Sequence, residues 1–253
     1  MSAFEQNVQK RMASMPASIP SAGPVDPALI EDLVAASRIL AQHGVLDAWG
    51  HVSMRHPKNP QRYLISRARA PALVTASDIM ELDLDSNPVD GDDRRMFLER
   101  FIHGEAFKAR PDVNAVVHSH SPTIIPFSVT EEPLRAVSSV ASFLACGCPV
   151  FEIREPGITK GLLVTSIKQG AALAKVLGDK SVALLRGHGN IVVAPDIHRV
   201  VHRALYTEVN AKQLAMALSF RKPIKYIELD EMLDPQRLGD SWEVWKTAAM
   251  SGE

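Results

Sequence analysis

The chain has 253 residues, of which 46% are hydrophobic and 23% are charged, and its formal net charge is −1. Lysine and arginine (28) balance aspartate and glutamate (29) without a long block of one sign, so composition does not favour nucleic acid or an anionic membrane as a partner. No apolar run approaches the roughly 18 residues of a membrane span, and the N-terminus lacks the apolar core of a signal peptide. We therefore expect a cytoplasmic globular protein that acts on a small molecule.

The first part of the chain shows little periodicity. Residues 1–25 are rich in serine, proline and alanine, which predicts a flexible N-terminal arm outside the core, or a segment that only a neighbouring subunit orders. Asp26 and Pro27 then provide the N-cap and first-turn residues of a helix that closes at His43 and Gly44. Its apolar face is formed by Leu29, Leu33, Ala36 and Leu40.

Strands and helices alternate after this helix without an internal repeat. The predicted strands are GHVSMR (50–55), RYLISR (62–67), IMELDLD (79–85), VNAVVHSH (113–120) and a pair around the glycine-rich turn of SVALLRGHGNIVVA (181–194). The predicted helices are RRMFLERFIHGEAFKA (94–109), SIKQGAALAKVL (166–177) and DIHRVVHRALYTEVNAKQLAMALSF (196–220). This order predicts one α/β domain over residues 26–221, and residues 222–253 are expected to pack as a tail on the domain or on a neighbouring subunit.

Two histidines one residue apart follow a short apolar run. Side chains at positions i and i+2 of a strand lie on one face, so the imidazoles of His118 and His120 should converge. His188 lies between two glycines, whose missing Cβ atoms let backbone or a ligand approach closely, and Glu99 supplies a carboxylate. Three imidazoles and a carboxylate suit Zn²⁺, Mn²⁺, Fe²⁺ or Co²⁺. A lone histidine on an apolar strand is more often a core residue, but the pair together with His188 favours a metal site.

Other folds that carry an H-x-H pair match this sequence less well. A cupin has a glutamate three or four residues after the pair, whereas Ser121, Pro122, Thr123 and Ile124 follow here. A metallo-β-lactamase-type site continues with Asp-His, and a TIM-barrel hydrolase usually carries the pair on its first strand. The sequence also contains no G-x-S-x-G, G-x-G-x-x-G or P-loop pattern.

Five motifs resemble the class II aldolase/adducin family over about residues 29–220: AWGHVSMR, VTASDIMELD, the E-x-x-x-H of Glu99 and His103, ARPDVNAVVHSH and LLRGHGNIVVAPDI. The resemblance implies a single three-layer αβα domain with a central mixed, largely antiparallel sheet, and a homotetramer with sites near the subunit boundaries. It also implies that His118, His120 and His188 bind a divalent metal, with Mn²⁺ favoured. Glu99 is then a fourth ligand or the acid/base group.

Departures from the sugar-phosphate aldolases indicate a particular branch of that family. The aldolases have GNIS and a Thr-Gly phosphate loop, whereas this chain has GHVS at residues 50–53 and LISRARAPALV. GHVS, SRARAP, ERFIHG and RGHG resemble the decarboxylases of 3-hydroxy-2-methylpyridine-4,5-dicarboxylate and of dihydroxyphthalates. This likeness implies a metal-dependent decarboxylase of a hydroxylated benzene or pyridine carboxylate or dicarboxylate. The alternatives are a class II aldolase or epimerase and a non-catalytic adducin-like assembly module.

The SRARAP segment supplies the candidate substrate-binding residues Ser66, Arg67 and Arg69. The two arginines lie on the same side of an extended segment, where guanidinium groups can hold a planar carboxylate bidentately. Two solvated surface arginines are the alternative interpretation. His51 is expected to face the substrate, because it occupies the place of the aldolases' pocket asparagine.

The expected chemistry assigns roles to two further side chains. The substrate would chelate the metal through phenolate and carboxylate, and protonation of the ring carbon would precede loss of CO₂. Glu99 is the first candidate for the proton donor. Tyr206 is the second, with a core or interface role as its alternative.

Overall fold

A computed structural model describes residues 19–155, 160–232 and 240–251, and within them seven strands form one sheet. The strands are β1 (His51–Arg55), β2 (Arg62–Ser66), β3 (Ile79–Asp83), β4 (Ala115–Ser119), β5 (Val150–Phe151), β6 (Val182–Leu185) and β7 (Gly189–Ala194). Their order is β3-β2-β1-β4-β7-β6-β5, and every neighbouring pair is antiparallel except β5 and β6, which are parallel. The sheet is therefore mixed and largely antiparallel, as expected.

Helices cover both faces of this sheet. They are α1 (Pro27–Gln42), α2 (Phe101–Ala109), α3 (Ile125–Val129), α4 (Ile167–Leu177), α5 (Ile197–Ser219) and α6 (Ser241–Met250). Val52 and Val117 belong to the core beneath α1 and α5, whereas Ile65 and Val116 belong to the core beneath α2 and α4. The result is the expected three-layer αβα domain. In the part of the chain that the structure describes, no helix is long and apolar enough to span a membrane.

The helix predicted over residues 94–109 begins only at Phe101. The preceding turns are fixed by Arg100, whose Nε donates to the Ser86 carbonyl at 2.9 Å and whose Nη1 donates to the Phe97 carbonyl at 3.1 Å. These bonds tie the chain to the turn after β3, so that Glu99 precedes the helix instead of lying within it. The strand predicted to end at His120 ends at Ser119. Sequence patterns also did not predict α3, β5 or the 3₁₀ helix Ser139–Cys146.

Both ends of the described chain pack on the domain. Residues 1–18 of the predicted N-terminal arm lie outside the described residues, while the Ser21 hydroxyl donates to the Glu81 carboxylate of β3 at 2.6 Å. In the C-terminal segment, Lys246 of α6 lies 2.8 Å from the Asp32 carboxylate of α1, and the buried Trp242 ring stacks on His198 at 4.1 Å between centroids. Helix α6 thus contributes an aromatic side chain to the core beneath α1 and α5.

We predict that Trp242→Ala lowers the free energy of unfolding by about 3–5 kcal/mol, because it removes a large buried side chain and leaves a cavity. Val244→Ala, on the exposed face of the same helix, should change it by no more than about 0.5 kcal/mol. Urea unfolding at one protein concentration measures both. Equal effects would mean that α6 does not pack on the domain in solution.

Candidate metal centre

Four side chains from three parts of the fold meet at one end of the sheet. Glu99 precedes α2, His118 lies near the end of β4 with His120 just beyond it, and His188 lies in the turn between β6 and β7. Each offers one ligand atom, and these atoms all lie within 4.8 Å of one another. The structure therefore brings together the set that the sequence suggested as metal ligands.

The β6–β7 hairpin reaches this position because two glycines flank His188. Gly187 has a φ of +66°, a conformation that residues with a Cβ rarely adopt. At Gly189 an added Cβ would lie 2.0 Å from the Ser119 carbonyl oxygen of the neighbouring strand. Only glycine lets β7 approach β4 this closely, and the approach places His188 beside His120.

Each of the three histidines has its Nδ1 atom engaged by an acceptor. His118 Nδ1 donates to the Asn190 carbonyl at 3.0 Å, and His188 Nδ1 donates to the Leu162 carbonyl at 2.9 Å. His120 Nδ1 lies 3.0 Å from the Asp47 carboxylate. Since these acceptors require a proton on Nδ1, each neutral ring presents an Nε2 lone pair, which is the arrangement typical of metal-ligating histidines.

The Nε2 atoms of the three rings face one another and the Glu99 carboxylate. His118 Nε2 is buried without a hydrogen-bond partner among the described residues. His120 Nε2 lies 3.0 Å from His188 Nε2, so in the Nδ1-protonated neutral tautomers two lone pairs would face each other. A divalent cation between these atoms would satisfy all three rings, and imidazole nitrogen is among its common ligands. The residues present therefore fit a metal ion.

Glu99 presents one oxygen to the histidines and anchors the other. Its Oε1 accepts the Val164 backbone N–H at 2.9 Å, while its Oε2 lies 3.5 Å from His118 Nε2 and 3.3 Å from His188 Nε2. Burial opposes ionisation, but His118 and His188 outweigh it and hold the pKa of the Glu99 carboxyl below its ordinary value. The oxygen that faces the histidines is therefore ionised and can bind a cation.

A second histidine pair lies directly beside the ligands. His51 of β1 is the register partner of His118, and its Nδ1 lies 2.5 Å from His103 Nε2. His103 Nδ1 in turn lies 2.5 Å from the Ser53 hydroxyl. Burial lowers the pKa of both histidines, with that of His103 falling to about 3, and neighbouring imidazoles add to the shift. Both rings are therefore neutral, and the structure places His51 next to the candidate metal site.

Arg67 and Arg69 converge on one carboxylate. Arg67 Nε lies 2.6 Å from Asp78 Oδ1, and Arg69 Nε lies 3.2 Å from Asp78 Oδ2. About a third of each arginine side chain stays exposed (35% and 34%), so the two arginines are neither buried nor freely solvated. Ser66 is buried at the end of β2.

Tyr206 is not brought into this cluster. It belongs to α5, on the opposite face of the sheet, where its ring lies 4.5 Å from the His202 ring and 6.4 Å from the Trp245 ring between centroids. Its suggested role as proton donor stays a prediction, as do the substrate-binding roles of Ser66, Arg67 and Arg69.

Sequence reasoning missed the groups that orient the ligands. Asp47 comes from the loop after α1, and the Leu162 carbonyl and Val164 amide come from one loop segment before α4. Backbone groups carry no side-chain signature, so no motif could have identified the last two. Asp47 has a weak signal, a carboxylate shortly before GHVS, and Asp78 lies within the VTASDIMELD motif.

Comparisons with known proteins agree with this architecture. The family model described as Class II Aldolase and Adducin N-terminal domain matches residues 31–215. Decarboxylase tropJ of Talaromyces stipitatus is 34% identical over 81% of this chain and 80% of its own length. The 3,4-dihydroxyphthalate decarboxylase of Arthrobacter keyseri is 31% identical over 84% and 88%, respectively. Among solved structures, L-fuculose 1-phosphate aldolase from Glaciozyma antarctica has a TM-score of 0.72 at 22% identity and 94% coverage of both chains, which indicates a shared fold.

We predict that His118→Ala, His120→Ala and His188→Ala each lose most of the bound metal, because each removes one of three imidazole ligands. Elemental analysis after loading with Mn²⁺ or Zn²⁺ and desalting measures the metal content. His43→Ala, which removes an exposed histidine outside the cluster, is the matched control and should keep the parent stoichiometry. Stoichiometric metal in all three cluster variants would contradict the assignment.

Proposed function

The chain belongs to the class II aldolase and adducin family, and from this membership we propose that it is a divalent-metal-dependent decarboxylase of a hydroxylated aromatic carboxylate or dicarboxylate. Its decarboxylase relatives identify it as an enzyme of the lyase type. Metal dependence is proposed because three oriented histidines and the Glu99 carboxylate converge on one point. The buried Nε2 atom of His118 also lacks a hydrogen-bond partner among the described residues. This donor set also argues against a purely structural, adducin-like role.

The decarboxylase reaction is favoured over aldol cleavage by the relatives and by the residues beside the ligands. Two decarboxylases are at least 31% identical over at least 80% of both chains. The position that the aldolase resemblance assigns to an asparagine is occupied by His51, whose Nδ1 is engaged by His103. One ring nitrogen of His51, Nε2, is therefore available for a substrate contact.

When bound, a divalent cation would supply Lewis acidity that stabilises the electrons left on the substrate when the carbon–carbon bond breaks. The protein's own task is the movement of one proton. We propose that Glu99 Oε2 accepts the proton of the substrate's ring hydroxyl and returns it to the carbon that bears the carboxylate. CO₂ then leaves, and the electrons of the broken bond restore the aromatic ring. The Val164 amide holds Glu99 Oε1 throughout, so that Oε2 keeps its position.

The arginine pair gives this proposal a second anchoring point. Arg67 and Arg69 would hold a further carboxylate of the substrate by charge-assisted hydrogen bonds, which are stronger than neutral ones. The proposal also includes Mn²⁺ as the favoured cation and a homotetrameric assembly, both of which rest on the resemblance to the family. A cytoplasmic location is proposed from the sequence pattern alone.

The test is a CO₂-release screen over hydroxylated benzene and pyridine dicarboxylates, with the metal content measured in the same preparation. CO₂ release that is lost on chelation with EDTA and regained with Mn²⁺ would support the proposal. Aldehyde release from a sugar phosphate, without CO₂ from any aromatic acid, would replace it with the aldolase alternative.

We predict that Glu99→Gln lowers the rate of CO₂ release by about 10²–10⁴-fold, the usual contribution of a general acid/base group, while bound metal is largely retained. The amide keeps one oxygen but cannot carry the transferable proton. Glu105→Gln is the matched control, because Glu105 is a buried carboxylate on α2 that pairs with Lys108 and is not part of the cluster. A Glu99→Gln variant that turns over at the parent rate would move the proton-donor role to Tyr206 or a bound water.

We also predict that Arg67→Ala or Arg69→Ala weakens binding of a dicarboxylate substrate by about 1.5–3 kcal/mol, the range for a hydrogen bond to a charged group. Steady-state kinetics or calorimetry measures the change, and Arg154→Ala, which breaks an exposed ion pair with Glu152, is the control. Unchanged affinity in both variants would return these arginines to the solvated-surface interpretation.

A further inference from the structure

Asp78 is a carboxylate that the fold fixes in place. It closes the 3₁₀ helix Ala76–Asp78, and only 5% of its side chain is exposed. Its Oδ2 accepts the Thr75 backbone N–H at 2.9 Å and the Thr75 hydroxyl at 2.8 Å, and its own side chain thereby caps the turn. A carboxylate held on one side by two donors has a defined position and orientation.

In both arginines, Nε is the atom that lies nearest the Asp78 carboxylate. Arg67 Nε donates to Asp78 Oδ1 at 2.6 Å, whereas Arg69 Nε donates its single hydrogen to the Leu73 carbonyl and lies 3.2 Å from Asp78 Oδ2 as an ion pair. Within residues 19–155, 160–232 and 240–251, the Nη atoms of neither arginine form a hydrogen bond. The terminal nitrogens are therefore unused donors on two partly exposed guanidinium groups.

The charge balance at this point favours an anion. Two guanidinium groups share one carboxylate, so one positive charge stays uncompensated within the trio. Two like charges at such short range repel each other, and an additional carboxylate between the Nη atoms would relieve the repulsion. Guanidinium groups match a planar carboxylate in geometry as well as in charge.

The trio lies at the same end of the sheet as the candidate metal centre. Ser53 pairs with Ile65, so continuing this antiparallel register by two residues places Arg67 opposite His51. His51 is itself paired with His118. Arg67 and His118 are thus two strand spacings apart, or about 10 Å between backbones, and an arginine side chain can cover much of that distance.

We infer that Asp78 is a positioning residue that holds Arg67 and Arg69 as one carboxylate-binding fork, and that this fork makes the site selective for aromatic dicarboxylates over monocarboxylates. The inference rests on the proposed function, because it assigns the first carboxylate of the substrate to the metal centre. The second carboxylate binds the Nη atoms of the fork. Asp78 acts only through the arginines and does not touch the substrate.

The experiment separates position from charge by comparing two variants of Asp78. Asp78→Glu keeps the charge and a capping side chain but moves the carboxylate by one methylene, whereas Asp78→Asn keeps the length and removes the charge. Asp92→Glu is the matched control, since Asp92 pairs with the nearby Arg94 at 2.6 Å. Calorimetry on the Mn²⁺-loaded protein measures binding of phthalate, benzoate and inorganic phosphate, and thermal unfolding identifies any variant that has lost its fold.

We expect Asp78→Glu to bind phthalate about tenfold more weakly, the lower end of the contribution of one charge-assisted hydrogen bond, with benzoate binding unchanged. Asp92→Glu should bind both as the parent does. If charge alone matters, Asp78→Glu will behave as the parent and Asp78→Asn will bind every anion more tightly, which would overturn the inference. The inference would also be overturned if Asp78→Glu lost affinity for phthalate and benzoate equally. The same holds if the parent protein bound phosphate more tightly than phthalate, or did not bind phthalate.

If a variant of Asp78 does not fold, Arg67→Lys and Arg69→Lys keep the experiment decisive, because each retains the charge and removes the planar fork. Selective loss of phthalate affinity in these variants supports the inference, and unchanged selectivity contradicts it. Binding requires no turnover, so the outcome is independent of the proposed reaction. Phthalate selectivity without CO₂ release from any aromatic acid would retain the fork and remove the decarboxylase proposal.

Discussion

The whole site depends on how closely β7 approaches β4. At Gly189 the backbones are so near that a single added Cβ would lie 2.0 Å from the Ser119 carbonyl oxygen. This contact brings the β6–β7 turn, and with it His188, against the end of β4, where His118 and His120 lie. The same pairing presents the Asn190 carbonyl to His118 Nδ1 at 3.0 Å. One backbone constraint thus sets both the distance between the ligands and the orientation of one of them, which explains why a histidine between two glycines was an informative motif.

The order of side chains along the sequence predicted most strands of the sheet and the pairing of the two ligand histidines at the end of β4. Short apolar runs between turn residues identified β1, β2 and β4, and the two-residue period of a strand placed His118 and His120 on one face. The predicted start of α2 was wrong, since the bond from Arg100 to the Ser86 carbonyl joins the chain to the turn after β3, a contact that local apolar spacing does not encode. The Leu162 carbonyl and the Val164 amide could not be predicted at all. They become neighbours of His188 and Glu99 only after the loop before α4 has packed, and neither group depends on the identity of its side chain.

The face of the sheet beneath α2 is unusual because polar rings replace apolar side chains at its end. Ser53, His103 and His51 form a continuous hydrogen-bonded row that reaches the ring of His118, and all four are buried. Burying such polar groups is costly unless they form hydrogen bonds. Here both nitrogens of His103 have a partner, the His51 ring on one side and the Ser53 hydroxyl on the other. The two neutral imidazoles of His51 and His103 keep positive charge away from the ligand cluster.

Aldol cleavage and decarboxylation both break a carbon–carbon bond and leave electrons that must be stabilised, so the ligand set alone does not separate the two reactions. The separation has to come from the side chains that surround the ligands. In this chain, the neighbours of the ligand set are a neutral histidine at position 51 and, one strand further along the sheet, two arginines gathered on Asp78. A planar anion is the natural partner of such arginines, and an aromatic ring that carries two carboxylates would present one to them and one to the ligand cluster. The proposed function therefore assigns substrate selection to the β1–β2 side of the sheet and bond cleavage to the β4–β7 side, with His51 between them.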